Sequence, residues 1–291
     1  MAVSHSFKRV VLGLRPSVPG RAMQLAVELA DLLHLELLGL FLEDTGLRHL
    51  AAIPFARELR LLGGGWHPID LDRMSLDLEL AARSMERMFA DAAKGLPTRY
   101  QFEVIRTPTA EAIASVSRAG DIVMIVEPLS PAEQATQQFS RLMEAAFRSV
   151  GAVMLVPTRI ARATGPVVAI AVARDDPSIE AAAAIAMAAE EELVIVEASE
   201  GADDDPRVAR LAADTGLTVK RIAVGRAPAL SPGLLLPAFR ELRERMVITS
   251  RGALDHKVAM TIASARRVPV LVIEPPQPID GNAVLQPETA C

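Results

Sequence analysis

One cysteine is present in 291 residues, and it is the last residue, Cys291. No internal disulfide and no cysteine-based metal cluster can form. Aromatic residues make up only 3% of the chain, so Ala, Leu and Val must fill the interior. No excess of positive charge exists. Lys and Arg total 31 against 36 Asp and Glu, a formal charge of −5, which argues against a chain-wide surface for nucleic acid. No run reaches the ~18 uncharged apolar residues of a membrane-spanning helix. The longest candidate, Ala227 to Phe239, holds three prolines, and Ala181–Ala189 is bracketed by Glu180 and Glu190. The first nine residues lack the basic-then-apolar layout of a signal peptide. A cytoplasmic protein without membrane contact is expected.

What is present is a 51% hydrophobic, 23% charged chain with material for real cores. Short β-branched apolar runs alternate with segments of helical period. Strands are expected at Val10–Leu14, Leu37–Leu42, Gln101–Ile105, Ile122–Val126 and Val153–Val156. Helices are expected at Arg21–Leu33, Ser75–Ala93, Pro108–Ser117 and Phe139–Ser149. The same order then repeats. Strands fall at Val167–Val172, Leu193–Glu197, Leu217–Ala223, Met246–Thr249 and Val270–Ile273, with helices at Ser178–Ala189, Pro206–Ala213, Leu234–Glu244 and Asp255–Arg266. Near-continuous apolar strands belong to parallel sheets covered on both faces, and the alternation implies right-handed crossovers. Two tandem five-stranded α/β units explain the repeat better than one ten-stranded sheet. The expected division is 1–160, 161–275 and a flexible tail, 276–291, with the boundary in the polar Thr158–Gly165 stretch. The first unit carries a long excursion, 43–74, containing Gly63-Gly64-Gly65, where the second has only Ala198–Asp205.

Pro108-Thr109-Ala110-Glu111-Ala112-Ile113, Asp121-Ile122-Val123-Met124 and Val247-Ile248-Thr249-Ser250-Arg251-Gly252 carry a family resemblance. With the closing strand Pro269-Val270-Leu271-Val272, they make the chain similar to the universal stress protein family in its tandem two-domain form, over roughly residues 7 to 274. The resemblance implies a Rossmann-like, adenine nucleotide alpha hydrolase-like fold: a five-stranded parallel sheet per domain with helices on both faces. Many members bind ATP at the carboxyl ends of the strands; others do not. Binding members carry an Asp after the first strand and a Gly-x2-Gly-x9-Gly-Ser/Thr loop after the fourth. Glycines there let backbone N–H groups approach phosphate oxygens ahead of a helix N-terminus.

Both units depart from that pattern. In the first, Leu14 stands at the Asp position, and Glu127 to Phe139 contains no glycine but has Pro128 and Pro131, which remove N–H donors. Glu127 and Glu133 would repel a triphosphate. Side chains of Leu14, Glu127 and Leu129 are expected to fill this cleft. The second unit keeps Ser250-Arg251-Gly252 with a shortened loop, places Ala173 at the Asp position with Asp175 and Asp176 close by, and has His256-Lys257 where Gly-Ser should be. The candidate ligand residues are therefore Asp175, Thr249, Ser250, Arg251, Gly252, His256 and Lys257. Against this stands the simpler reading in which Arg251 is solvated and Asp255 caps a helix.

Other signals carry less. Gly63-Gly64-Gly65 lacks the context and the Gly-Lys-Ser/Thr of a phosphate loop and reads as a linker. His5, His34, His49, His67 and His256 show no metal-ligand spacing. Asp203-Asp204-Asp205 reads as a solvated loop ending in a helix cap. No catalytic residue and no cofactor are assigned. Three functions remain: a non-catalytic stress-response or regulatory module, an ATP- or AMP-binding protein or slow ATPase using the second unit, and a protein-interaction platform built on 43–74. A homodimer or an intramolecular pseudo-dimer is expected as the assembly.

Overall fold

A computed structural model describes residues 7–14, 18–43, 53, 55–60, 65–107, 109–173, 175–198, 206–225 and 230–274. Gly63 and Gly64, His5, His49, Asp203–Asp205, Cys291 and the expected tail 276–291 lie outside the described residues. The first half runs β1 (Arg9–Leu14), α1 (Gly20–Leu32), β2 (Glu36–Leu42), β3 (Arg57–Arg60), β4 (Gly65–Pro68), α2 (Leu71–Ala93), β5 (Tyr100–Ile105), α3 (Thr109–Val116), β6 (Asp121–Val126), α4 (Pro131–Gln134), α5 (Gln137–Arg148) and β7 (Ala152–Val156). The second runs β8 (Val167–Ala171), α6 (Pro177–Ala188), β9 (Leu193–Glu197), α7 (Pro206–Thr215), β10 (Val219–Ala223), α8 (Pro232–Ala238), β11 (Met246–Ser250), α9 (His256–Arg266) and β12 (Val270–Ile273).

Ten strands form one sheet in the order β10-β9-β8-β11-β12-β7-β6-β1-β2-β5. Within each half every pairing is parallel. Counted outward from the middle, both halves run fifth, fourth, first, second, third, leaving aside the separate β3–β4 hairpin. The halves meet where β12 pairs antiparallel with β7, through Val270↔Leu155, Leu271↔Met154 and Val272↔Val153. The sequence favours two separate five-stranded sheets; the structure instead forms a single ten-stranded sheet with five strands from each half, because the two fifth strands pair.

The halves superimpose residue by residue at this seam. After the fourth strand of each, the next N–H donates to the last carbonyl of the fifth: Glu127 N to Val156 O at 2.8 Å and Arg251 N to Ile273 O at 2.6 Å. This equates Glu127 with Arg251 and Met154 with Leu271. Met154 faces Leu271 in the seam, so a local two-fold axis passes between them. The first helices end alike as well. His34 (φ 53°) and Glu190 (φ 54°) both take the left-handed conformation, and the next N–H closes back on Ala30 O and Ala186 O.

Two apolar layers cover the sheet, and each crosses the seam. One gathers α1, α2, α6 and α7 with strand residues from both halves. The other gathers α5, α8 and α9 around Val153, Val168, Val247 and Val270. Strands β6, β7, β8, β9, β11 and β12 are buried throughout. Only the outer strands are exposed, and these carry Glu103 on β5 and Lys220 and Arg221 on β10, charges that discourage edge-to-edge pairing. No helix among the described residues is long and apolar enough to cross a membrane.

Three elements differ from the sequence expectation, one being the short helix α4, Pro131–Gln134, in a stretch read as a loop. Within 43–74 the chain forms the β3–β4 hairpin, with Leu59 opposite Trp66, and α2 begins at Leu71, capped by Asp70, whose side chain accepts from Arg73 N at 3.1 Å. The helix expected at Leu234–Glu244 ends at Ala238. Leaving the helix lets Glu244 turn fully inward to meet Arg266 at 2.7 and 3.0 Å. That hydrogen bond raises the Arg266 pKa, against the opposing effect of burial.

Gly165 occupies the connection between the halves at φ +123°, where an added Cβ would lie 2.0 Å from the Arg243 carbonyl oxygen. Gly165→Ala is expected to cost about 3 kcal/mol, since both backbone strain and a backbone clash oppose it. Gly20→Ala, at an open helix start, should change stability by less than about 0.5 kcal/mol. Urea unfolding of the two variants checks the contrast.

Candidate functional site

In a doubly wound sheet the ligand crevice lies beyond the carboxyl ends of the strands. In the second half those ends are Ala171 on β8 and Ser250 on β11. Asp175 and Asp176 both follow β8, and they differ in placement. Asp175 is exposed and Asp176 is buried. Pro177 opens α6, so Asp176 is its N-cap, with Oδ1 accepting from Ser178 N at 3.0 Å. Its Oδ2 accepts from Val172 N at 3.1 Å and from Ser250 Oγ at 3.0 Å. One carboxylate thus ties the end of β8, the start of α6 and the end of β11 together. The sequence placed Asp175 among the ligand residues; its neighbour is the one facing Ser250.

Thr249 is fully buried, and its Oγ1 has no hydrogen-bond partner among the described residues. Gly252 turns the chain at φ +97°, with nothing within 4 Å of an added Cβ. Arg251 points away from this cleft and across the seam. Its Nη1 donates to Ser149 O at 2.8 Å and its Nη2 to Gly151 O at 2.7 Å, both just beyond α5 in the first half. It also pairs with Glu274. Burial lowers the Arg251 pKa, and the Glu274 charge partly offsets that. Asp255 caps α9, accepting from Lys257 N at 2.9 Å, and pairs with His256 Nδ1 at 2.9 Å. The His256 ring lies 5.7 Å from Phe147, again across the seam. Lys257 is exposed, with no ion pair among the described residues.

The structure therefore divides the candidate residues. Ser250 faces Asp176, Arg251 and His256 face the first half, and Asp175 and Lys257 are exposed. No group of three or more His, Cys, Asp or Glu side chains suited to a metal ion occurs among the described residues.

In the first half, Leu14 and Glu127 are buried, whereas Leu129 is 63% exposed and does not fill the cleft. The two prolines and the Ser130 cap of α4, which accepts from Ala132 N at 3.2 Å, turn the chain so that Leu129 faces outward. Each oxygen of the Glu127 carboxylate has two donors. Oε1 accepts from Gln134 Nε2 at 2.9 Å and from Ser264 Oγ of α9 at 2.6 Å. Oε2 accepts from Thr158 N at 3.1 Å and from Thr158 Oγ1 at 3.3 Å. Glu127 and Arg251, the equivalent positions, each reach into the opposite half. Sequence reasoning marked both as charged groups after a fourth strand. Nothing in the sequence signals partners 100 to 137 residues away.

No family model matches the chain, and no curated protein matches it. Solved structures do. A universal stress protein from Archaeoglobus fulgidus DSM 4304 aligns with a TM-score of 0.63 at 14% identity, covering 94% of this chain and 98% of that one. A functionally unknown protein from Pseudomonas aeruginosa PAO1 aligns at 0.51 and 16% identity, covering 94% of each chain. A protein of P. aeruginosa UCBPP-PA14 that bears the universal stress protein name aligns at 0.50 and 16% identity, covering 94% of this chain and 95% of that one. What is shared is the fold, a mixed α/β architecture with a large, mostly parallel sheet between helices.

Asp176→Ala leaves three donors without their acceptor and should cost about 3 kcal/mol. Ser250→Ala should cost about 1 kcal/mol, and the double variant should reveal a coupling of about 1 kcal/mol. Denaturant unfolding of the four proteins in this cycle measures it; additivity would mean that the two side chains do not act together.

Proposed function

We propose that this chain is a non-catalytic stress-response or regulatory protein of the universal stress type, acting in the cytoplasm. Its units, 1–160 and 161–275, serve as an intramolecular pseudo-dimer, and further pairing would give a homodimer. The observation that carries the reading is the use of Glu127 and Arg251. The phosphate loop of nucleotide-binding relatives begins after the fourth strand. Here both fourth strands are followed by a charged side chain whose hydrogen bonds hold the halves together. The Arg251 guanidinium is committed to two carbonyls and a carboxylate and is not available to a phosphate. In the first unit ATP or AMP held in the family manner would bring phosphate against Glu127, in a loop without glycine. The fold likeness supports the family setting, and these residues support the specific role.

A second reading, an interaction platform on the 43–74 excursion, draws on one feature. Phe55, Leu59 and Trp66 are 86%, 55% and 63% exposed around the β3–β4 hairpin, an unusual density of large apolar side chains in a chain with so few aromatics.

Native mass spectrometry of freshly purified protein, followed by calorimetry with MgATP, separates these readings from a nucleotide sensor. The expected result is no bound nucleotide and no heat up to millimolar ATP. Bound nucleotide, or MgATP binding that disappears in Lys257→Ala, would replace the present proposal with a nucleotide-binding role for the second unit.

A further inference from the structure

A cavity of about 270 Å³ lies between the halves, where α5 of the first meets α9 of the second. It is lined by Phe139, Ser140 and Met143 from one half, by His256, Lys257 and Met260 from the other, and by Glu127 and Gln134. The site shares Glu127, His256 and Lys257 with the regions at the strand ends but opens between the halves. It exists only because the halves are joined, and such interfaces are favoured places for small-ligand pockets.

Its lining is chemically divided. Phe139 and Met260 pack on the apolar layer to which the buried Met143 belongs. Two thioethers and a phenyl ring give an apolar, adaptable wall. The cationic part of the lining is Lys257, whose ammonium has no ion pair among the described residues. The backbone N–H of Lys257 is already held by Asp255, so it is the side chain that is available. Glu127, the acid among the described lining residues, keeps its charge but is buried, with both oxygens turned to donors from Gln134, Ser264 and Thr158; Lys257 is exposed, so a ligand carboxylate would meet it on the solvent side. One free cation beside an apolar wall suits a ligand with a single negative charge and a hydrocarbon body. The volume falls just below the ~300 Å³ at which drug-sized pockets begin, which suits a ligand smaller than a nucleotide.

We infer that this seam cavity binds a small amphipathic monocarboxylate, its hydrocarbon on Met143, Met260 and Phe139 and its carboxylate on Lys257. The inference rests on the proposed absence of nucleotide at Lys257: MgATP binding lost in Lys257→Ala would assign that side chain to phosphate instead, whereas a failure of octanoate to bind would leave the non-nucleotide reading intact.

Octanoate is the probe, titrated into full-length protein carrying ¹³C-methyl methionine. The Met143 and Met260 methyl resonances should shift saturably, with a dissociation constant on the order of 0.1–1 mM, while Met23 and Met124, buried away from the cavity, stay in place. Octan-1-ol should bind at least about tenfold more weakly, as should octanoate to Lys257→Gln. Lys257→Arg should restore most of the affinity. Lys257 is exposed, so neither variant threatens folding. Shifts at other methionines only, no saturable shift, equal binding of the alcohol, or unchanged affinity in Lys257→Gln would each overturn the assignment.

Discussion

The antiparallel pairing of β7 with β12 is the contact on which the rest of the molecule depends. A five-stranded parallel sheet in the order seen here leaves its fifth strand at an edge. The two fifth strands, Ala-Val-Met-Leu-Val and Val-Leu-Val-Ile, contain no charged residue. An edge of that composition is exposed to uncontrolled pairing. Joining the two edges buries both and lets both apolar layers run across the midline. The outer edges, by contrast, carry charged side chains and stay partly exposed. Edge chemistry thus separates the strands meant to be covered from those meant to face water.

Side-chain chemistry at the carboxyl ends follows from the same junction. Glu127 reaches Ser264, and Arg251 reaches the carbonyls after α5. A charge buried at an interface is tolerated only when its hydrogen-bonding groups are met. The four donors on Glu127 and the three acceptors around Arg251 largely meet that demand. Both charged side chains are tied into the junction. Asp176 plays a comparable part inside the second half, fastening β11 to α6 through Ser250.

Much of this fold is legible in the sequence because burial on both faces forces continuous apolar strands. Asp121–Val126 and Leu193–Glu197 show themselves without alternation, as covered strands must. The β3–β4 hairpin does not, since four-residue strands such as Arg-Glu-Leu-Arg bury too little to leave a pattern. Leu234–Glu244 misleads because its apolar residues keep a helical period up to Phe239, while the inward turn of Glu244 depends on Arg266, 22 residues on. At the candidate site the residue types are legible and their partners are not. Two adjacent aspartates read alike, and only the capping geometry before Pro177 selects Asp176. The direction of Arg251 depends on the seam, and the composition of a strand does not say which other strand it will find.

The local axis between Met154 and Leu271 has a further consequence. In an assembly of two identical chains, every residue near such an axis appears twice, so an acid on one side obliges an acid on the other. Covalent succession of the halves lifts that obligation. Position for position, one half carries Glu127 and the other Arg251, and the groups they grip, a serine hydroxyl in one case and peptide carbonyls in the other, have diverged with them. Likeness of shape is retained while likeness of chemistry is released, so each side of the junction is free to specialise without unsettling its counterpart.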